Sequence, residues 1–355
     1  MWRCARGPEA EPQWRGSPRT APSMNRRLAR TLTIALPLCA ATLGCTSDPP
    51  AAPATMRFEF HSAFLMNLHN FLFDAANHPG RIDQVKWDVP PTAQEMATLH
   101  EAVAFYTASF HDRDPLFDDG LRDIRHALSR ADDASRQADG LGLPPALAAM
   151  LDRAAPIYAR GLWASQDRAN RDWIAHVQAL EARYGAKIQP RLERVFQAKF
   201  PPSIRDDIVV GTGTFTGAYT DEPPPQSVIP SGWAEYGGLA SLEMIWHEAS
   251  HAGPADHLDD LIQSEARAMN RELPDNLWHA AMFEAVGTEV REVLKEDGVA
   301  YEPYADKNHV YRGRWAQYVP LLHEQWKVWL DGRGDLKDAV DAMLQTRPLA
   351  TKPAA

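Results

Sequence analysis

The chain has 355 residues, 45% hydrophobic and 24% charged, which suits a globular body with a sizeable core and excludes a disordered one. Its formal charge is −10, and because residues 1–44 carry seven arginines against two glutamates, the remainder carries −15, a balance that repels phosphate backbones and argues against a nucleic-acid partner. Cys4, Cys39 and Cys45 all lie near the start, so no disulfide or cysteine metal site is available in the body, and an ion there must be held by histidine and carboxylate.

In chain order, residues 1–23, rich in Arg, Pro and Gly, read as an over-called start. From Met24, "MNRRLARTLTIALPLCAATLGC" has a basic start, an apolar run too short to span as a mature helix, and small residues before Cys45. That is the pattern of an export signal over 24–44. "TLGC" resembles the lipobox of bacterial lipoproteins, with Thr42 where that family prefers leucine. The resemblance implies lipid on Cys45 and attachment to a membrane; ordinary cleavage is the alternative. Either way the protein is expected to be exported, to the periplasm, the cell surface or the medium. "TSDPPAAPAT", within 45–56, reads as a Pro/Ala tether.

From 57 to 200 the patterning predicts helices almost throughout. "FHSAFLMNLHNFLFDAA" is a strongly apolar helix, and "TAQEMATLHEAVAFYTASF" has Thr92 and Glu95 at capping-box spacing. "DPLFDDGLRDIRHALSRADD" and the long run from Pro144 to Gly185 keep the 3.6-residue period. The period changes in "RDDIVVGTGTFTGAYTDEPPPQSVIPSG", which reads as two or three short strands, with Pro223–Pro225 making "QSVIPS" an expected edge strand. Helices return in "GLASLEMIWHEASHA", "ADHLDDLIQSEARAMNREL" and "DNLWHAAMFEAVGTEVREVLKE", the last capped by Asp275, and one more follows an aromatic-rich segment. The expected class is α+β, mostly helical with a small antiparallel sheet, with the second region at 201–345 and a flexible tail at 346–355.

The chemistry gathers at "HEASHAGPADH". His247, Glu248 and His251 form H-E-x-x-H; on a helix both histidines leave one face, where they can chelate one Zn²⁺, and Glu248 stands beside the ion as general base. Leu242, Ile245, Trp246 and Ala249 make that helix apolar, so its polar residues must be paired with something. The alternative is a pair of hydrogen-bonded core histidines. With these residues, the chain over 205–295 resembles the zincin superfamily of zinc metallopeptidases, in which an edge strand pairs with extended substrate, here "QSVIPS". It also resembles uncharacterised secreted bacterial proteins with "HEASH" followed by "LWHA".

Catalytic zinc takes three protein ligands, so one more is needed. His257 has the spacing of the metzincin motif, but that motif needs glycine where Pro254 stands, and Gly253-Pro254 reads instead as the end of a helix. The resemblance is therefore gluzincin-like. On the next helix His279 shares the centre of the apolar face with Phe283, Val286 and Val290, Glu289 lies on its flank, and Glu284 falls on the solvent side. His279 is the expected ligand, with Glu289 the main alternative and Glu284 and His257 behind; a core or second-sphere role for His279 stays open. Tyr304, His309, Tyr311 and Arg312 are candidates for stabilising an oxyanion, or simply packing residues, and His61 and His69 read as helix-surface or packing residues. The expected function is an exported zinc hydrolase acting on peptide or protein. The alternatives are a non-catalytic binding or scaffolding lipoprotein with a structural or degenerate zinc site, and a hydrolase of non-peptide amides.

Overall fold

Alternation in "RFEFH" makes the first apolar segment a strand, β1 (Arg57–His61), where a helix was expected from Phe58 onward. Phe58 and Phe60 two residues apart put both rings on one face, against Trp246 (5.1 Å between centroids) and Trp173 (6.5 Å). The computed structural model describes residues 55–213, 217–272 and 275–346; the export signal, Cys45, most of the tether and the tail beyond 346 lie outside the described residues.

Five helices follow β1: α1 (Phe64–Asn77), α2 (Ala93–Phe110), α3 (Asp119–Leu128), α4 (Pro145–Tyr158) and α5 (Ala164–Phe196). The capping box at Thr92 forms as expected, with Thr92 Oγ1 accepting from Glu95 N–H and Glu95 accepting from Thr92 N–H. A π-turn at Ala159–Trp163 joins α4 to α5. It frees the Gly161 carbonyl to accept from the Asp88 and Val89 amides, and a Cβ at Gly161 would stand 2.6 Å from the Trp87 ring.

Three more strands complete the sheet: β2 (Ser203–Val209), β3 (Tyr219–Asp221) and β4 (Gln226–Pro230). The order is β1-β2-β4-β3, with β1–β2 and β2–β4 parallel and β3–β4 antiparallel. The sheet is thus mixed, not antiparallel, because β1 returns to β2 only after the crossover of α1–α5, as a parallel pair requires. β4, expected at the edge, is an inner strand: Pro223–Pro225 lie in the turn before it, and Pro230 sits at its last position. The strand outside it is β3, whose three residues are all buried, and β1 forms the opposite edge.

One sheet face, carrying Ile204, Ile208 and Ile229, joins the core built by α5, α6 (Ala240–His251), α7 (Pro254–Ala268) and α8 (Leu277–Glu296). The other, with Tyr219, Val209 and Val228, joins the core of α1–α4. The mostly helical α+β class is as expected. α8 starts at Asn276 (φ 55°) with no side-chain cap, so Asp275 does not serve as the N-cap; its carbonyl accepts from the Tyr318 hydroxyl instead. The last segment folds into α9 (Tyr304–Lys307), α10 (Lys327–Leu330) and α11 (Leu336–Thr346) where one helix was expected. Among the described residues no helix is long and apolar enough to cross a membrane.

Candidate metal centre

Every residue of α6 from Ala240 to Ser250 is buried. Leu242, Met244, Ile245, Trp246 and Ala249 explain the burial: they place the helix between the sheet and α8. Its polar side chains are therefore anchored or directed inward. The Trp246 indole N–H donates to Glu181 (3.0 Å), and Ser250 donates back to the Trp246 carbonyl (2.7 Å).

His247 and His251 lie one turn apart with ring centroids 5.1 Å apart. α8 brings His279 to both, at centroid distances of 5.3 Å and 4.9 Å. One nitrogen from each ring falls within 4.8 Å of the other two. Among the described residues this is the one such group, and it contains no fourth donor. The Nε2 atoms of His247 and His279 are 3.3 Å apart. Ligand nitrogens about 2.0–2.1 Å from one tetrahedral ion stand roughly 3.3–3.4 Å from each other, so this pair already has a metal-binding separation.

Electrostatics agree. Burial drives the pKa of His247 well below the ordinary range, aided by His251 and His279; burial and His251 do the same to His279. Burial lowers His251 to about 4. All three are neutral imidazoles at neutral pH, the protonation state a cation needs. His247 Nδ1 is buried and has no hydrogen-bond partner. The His247 ring is held by packing, with Phe283 4.0 Å away, while Trp278 stacks on His279 (5.0 Å) and Trp315 meets it edge-on (5.3 Å). Three neutral imidazoles crowded in an apolar shell suit a divalent cation. The group can hold a metal ion.

Glu248 points to the sheet side of α6, where its Oε2 accepts a 2.7 Å hydrogen bond from Thr220 on β3. Burial raises its pKa to about 7, against the opposing effect of that bond. His251 is partly exposed whereas His247 and Glu248 are 3% exposed, so the centre meets solvent on the His251 side.

The other ligand candidates fall away. Glu289 is buried but ion-paired with Arg194 (2.9 Å) and Arg191 (3.2 Å) of α5. Glu284 is not on a solvated face: its carboxylate accepts from the Tyr311 hydroxyl (3.2 Å), and burial raises its pKa. His257 lies exposed in the first turn of α7, after Gly253 (φ 103°) has turned the chain out of α6. Of the C-terminal candidates, Tyr304 comes nearest the chemistry. Its ring lies 5.4 Å from Tyr236 and 6.3 Å from Phe283, and both tyrosines feel the charge of Glu248. His309 and Arg312 are exposed, and Tyr311 serves Glu284. His61 ends β1 and pairs with Asp133 (2.9 Å); His69 is buried beside Tyr106.

Three residues near the site carried no signal in the sequence. Thr220 is one residue of a three-residue strand, and Tyr236 sits in a short 3-10 turn. Glu243 is fully buried one turn before His247, where it accepts from the Tyr301 hydroxyl (2.6 Å) and the Tyr304 amide (3.0 Å) and so fixes the segment that carries Tyr304. Comparison with protein-family models, with curated proteins and with solved structures finds no match for the chain.

Proposed function

We propose that the protein is an exported zinc-dependent hydrolase that cleaves peptide bonds, a zincin-like metallopeptidase, with His247, His251 and His279 as zinc ligands and Glu248 as general base. The observation that carries this reading is the arrival of His279 from α8 at the H-E-x-x-H pair of α6, with Glu248 on the same helix. A bound zinc supplies Lewis acidity, polarising the substrate carbonyl and acidifying water.

The protein's own part is proton transfer and enclosure. Glu248 takes the proton from the attacking water and returns it to the leaving nitrogen; a carboxyl titrating at about 7 is suited to both directions. The apolar shell of Phe283, Trp278 and Trp315 keeps competing water from the buried side. A structural zinc site is closed by four protein ligands. Three donors, one of them partly exposed, favour the catalytic reading over a scaffolding lipoprotein. The export signal at 24–44 supports work outside the cytoplasm, with Cys45 as the point of lipid attachment.

Glu248→Gln separates the readings. The expected result is zinc at one equivalent with hydrolysis of a mixed fluorogenic peptide library reduced roughly 10²–10⁴-fold. Undiminished hydrolysis by that variant removes the general-base assignment. Wild-type protein that cleaves amide-capped small molecules and no peptide moves the substrate to non-peptide amides.

A further inference from the structure

Strand register aligns Phe60 of β1, Asp206 of β2, Ser227 of β4 and Thr220 of β3 in one row across the sheet. Residues directly opposite on neighbouring strands share a face, so the three polar side chains lie on the face of Ile204, Ile208 and Ile229, toward α6. Asp206 and Ser227 are fully buried and Thr220 is 8% exposed. β-branched apolar residues would pack this face at lower cost, since each buried polar group must find a partner. The row has partners in sequence: Ser227 Oγ is hydrogen-bonded to Asp206 Oδ1, and Thr220 Oγ1 donates to Glu248 Oε2 at 2.7 Å.

We infer that Thr220 is the positioning residue of Glu248, backed by the buried Asp206–Ser227 pair behind it in the sheet. The inference rests on the general-base reading of Glu248. A threonine hydroxyl has one hydrogen to give, and its β-branched side chain is stiff about χ1. Committing that hydrogen to Oε2 holds the carboxylate in one rotamer and leaves Oε1 to take the proton. Burial, opposed by the Ser227 hydrogen bond and aided by the charges of Asp207 and Glu248, raises the Asp206 carboxyl well above the usual carboxylate range. Ser227 Oγ donates to Asp206 Oδ1, so the pair is closed on itself. Strand register sets Ser227 directly opposite Thr220.

The test is Thr220→Val beside Thr220→Ser in the zinc-loaded full-length protein, read by zinc content, by kinetics on the fluorogenic peptide library and by crystal structures. Thr220→Val is expected to keep its zinc, to lose kcat about tenfold with KM nearly unchanged, and to show Glu248 in a second rotamer; Thr220→Ser restores kcat to about one third of wild type or better. Wild-type kcat in Thr220→Val, a Thr220→Ser variant as slow as Thr220→Val, or an undisturbed Glu248 rotamer in Thr220→Val overturns the inference. If Thr220→Val does not fold, Thr220→Ala carries the test: a similar kcat loss with Glu248 in a second rotamer supports the inference, and an unchanged Glu248 overturns it. Full activity in Glu248→Gln sinks the general-base reading instead, and the Glu248 rotamer in the crystal still decides what Thr220 does.

Discussion

Two buried helices, α1 and α6, carry polar side chains through the core and treat them in opposite ways. In α1, Asn67 donates to the Ala63 and Ile208 carbonyls (3.0 and 3.1 Å) and accepts from Asn170 (3.0 Å) and the Val210 amide (3.3 Å). Asn70 donates to the Met66 carbonyl (2.9 Å), and His69 Nδ1 lies 3.0 Å from the Tyr106 hydroxyl. Each of these groups bonds to a complementary neighbour, and the result ties α1 to α2, α5 and β2. In α6, His247 and His251 face another imidazole, and His247 Nδ1 has no partner at all. Depressed basicity does not tell the two apart, because burial lowers His69 to about 3 and His251 to about 4. What tells them apart is the identity of the neighbour. A histidine matched with a hydroxyl has its partner, whereas histidines gathered on one another can hold a cation.

The largest effect that tests this contrast is at His279. His279→Ala removes the arm from α8 and is expected to lower bound zinc from one equivalent to below about one tenth, since two histidines alone leave the ion half ligated. Chelation of wild-type protein should lower Tm by roughly 10 °C, the consequence of losing about 4 kcal/mol of linked binding energy in a domain of this size. The variant's Tm should ignore the chelator, while His69→Gln should behave as wild type. A full equivalent of zinc in His279→Ala breaks the contrast.

Glu289 sharpens it at intermediate size. It is more buried than His247, His251 or His279, at 2% exposure, yet two arginines satisfy it. Glu289→Ala takes one partner from Arg191 and Arg194, which are partly exposed and keep Glu296 and the Trp329 and Leu330 carbonyls, so the expected cost is about 2 kcal/mol, below that of breaking a wholly buried pair. Denaturant unfolding reads the loss, and zinc content should stay at one equivalent. Zinc loss in a folded Glu289→Ala would move the third-ligand role to that residue.

The site was more legible in the sequence than the sheet. His279 could be chosen because a helical wheel compares residues on one element, and its place among Phe283, Val286 and Val290 pointed it inward. Pro254 disqualified His257 by a local rule about φ, and α6 does end there. Pairing between distant strands has no such local mark. β1 hid at the head of an apolar helix because two phenylalanines fit either period, and β4 was misplaced because Pro223–Pro225, taken as the mark of an edge, lie in the turn before it while β4 itself pairs with both β2 and β3. Glu284 went wrong for a related reason: the C-terminal segment carrying Tyr311 covers a helix face that looks solvent-bound when α8 is considered alone. Thr220 could not be found at all, since its meaning lies in the register of β3 against β4.

The smallest effect concerns acid. The folded-state pKa of His69 lies near 3 and its ordinary value near 6.5, so between those limits the unfolded chain binds a proton that the native one refuses. Stability from this histidine is fully present above pH 6.5 and is lost as pH falls toward 3. Over the readily measured span from 6.5 to 5, the slope amounts to about 2 kcal/mol at most. His69→Gln can still bond to the Tyr106 hydroxyl, so it should cost less than about 1 kcal/mol at pH 7.5. In chelated protein, urea unfolding followed from pH 7.5 to 5 should show the variant's stability falling less steeply than wild type, by up to one proton's worth, on a background set by His247, His251 and His279 in one sense and by Glu181, Glu243 and Glu248, each raised to about 7, in the other. An identical slope in variant and wild type would mean that His69 is already charged in the native state, and that its hydrogen bond to Tyr106 does not close its chemistry as the comparison with α6 requires.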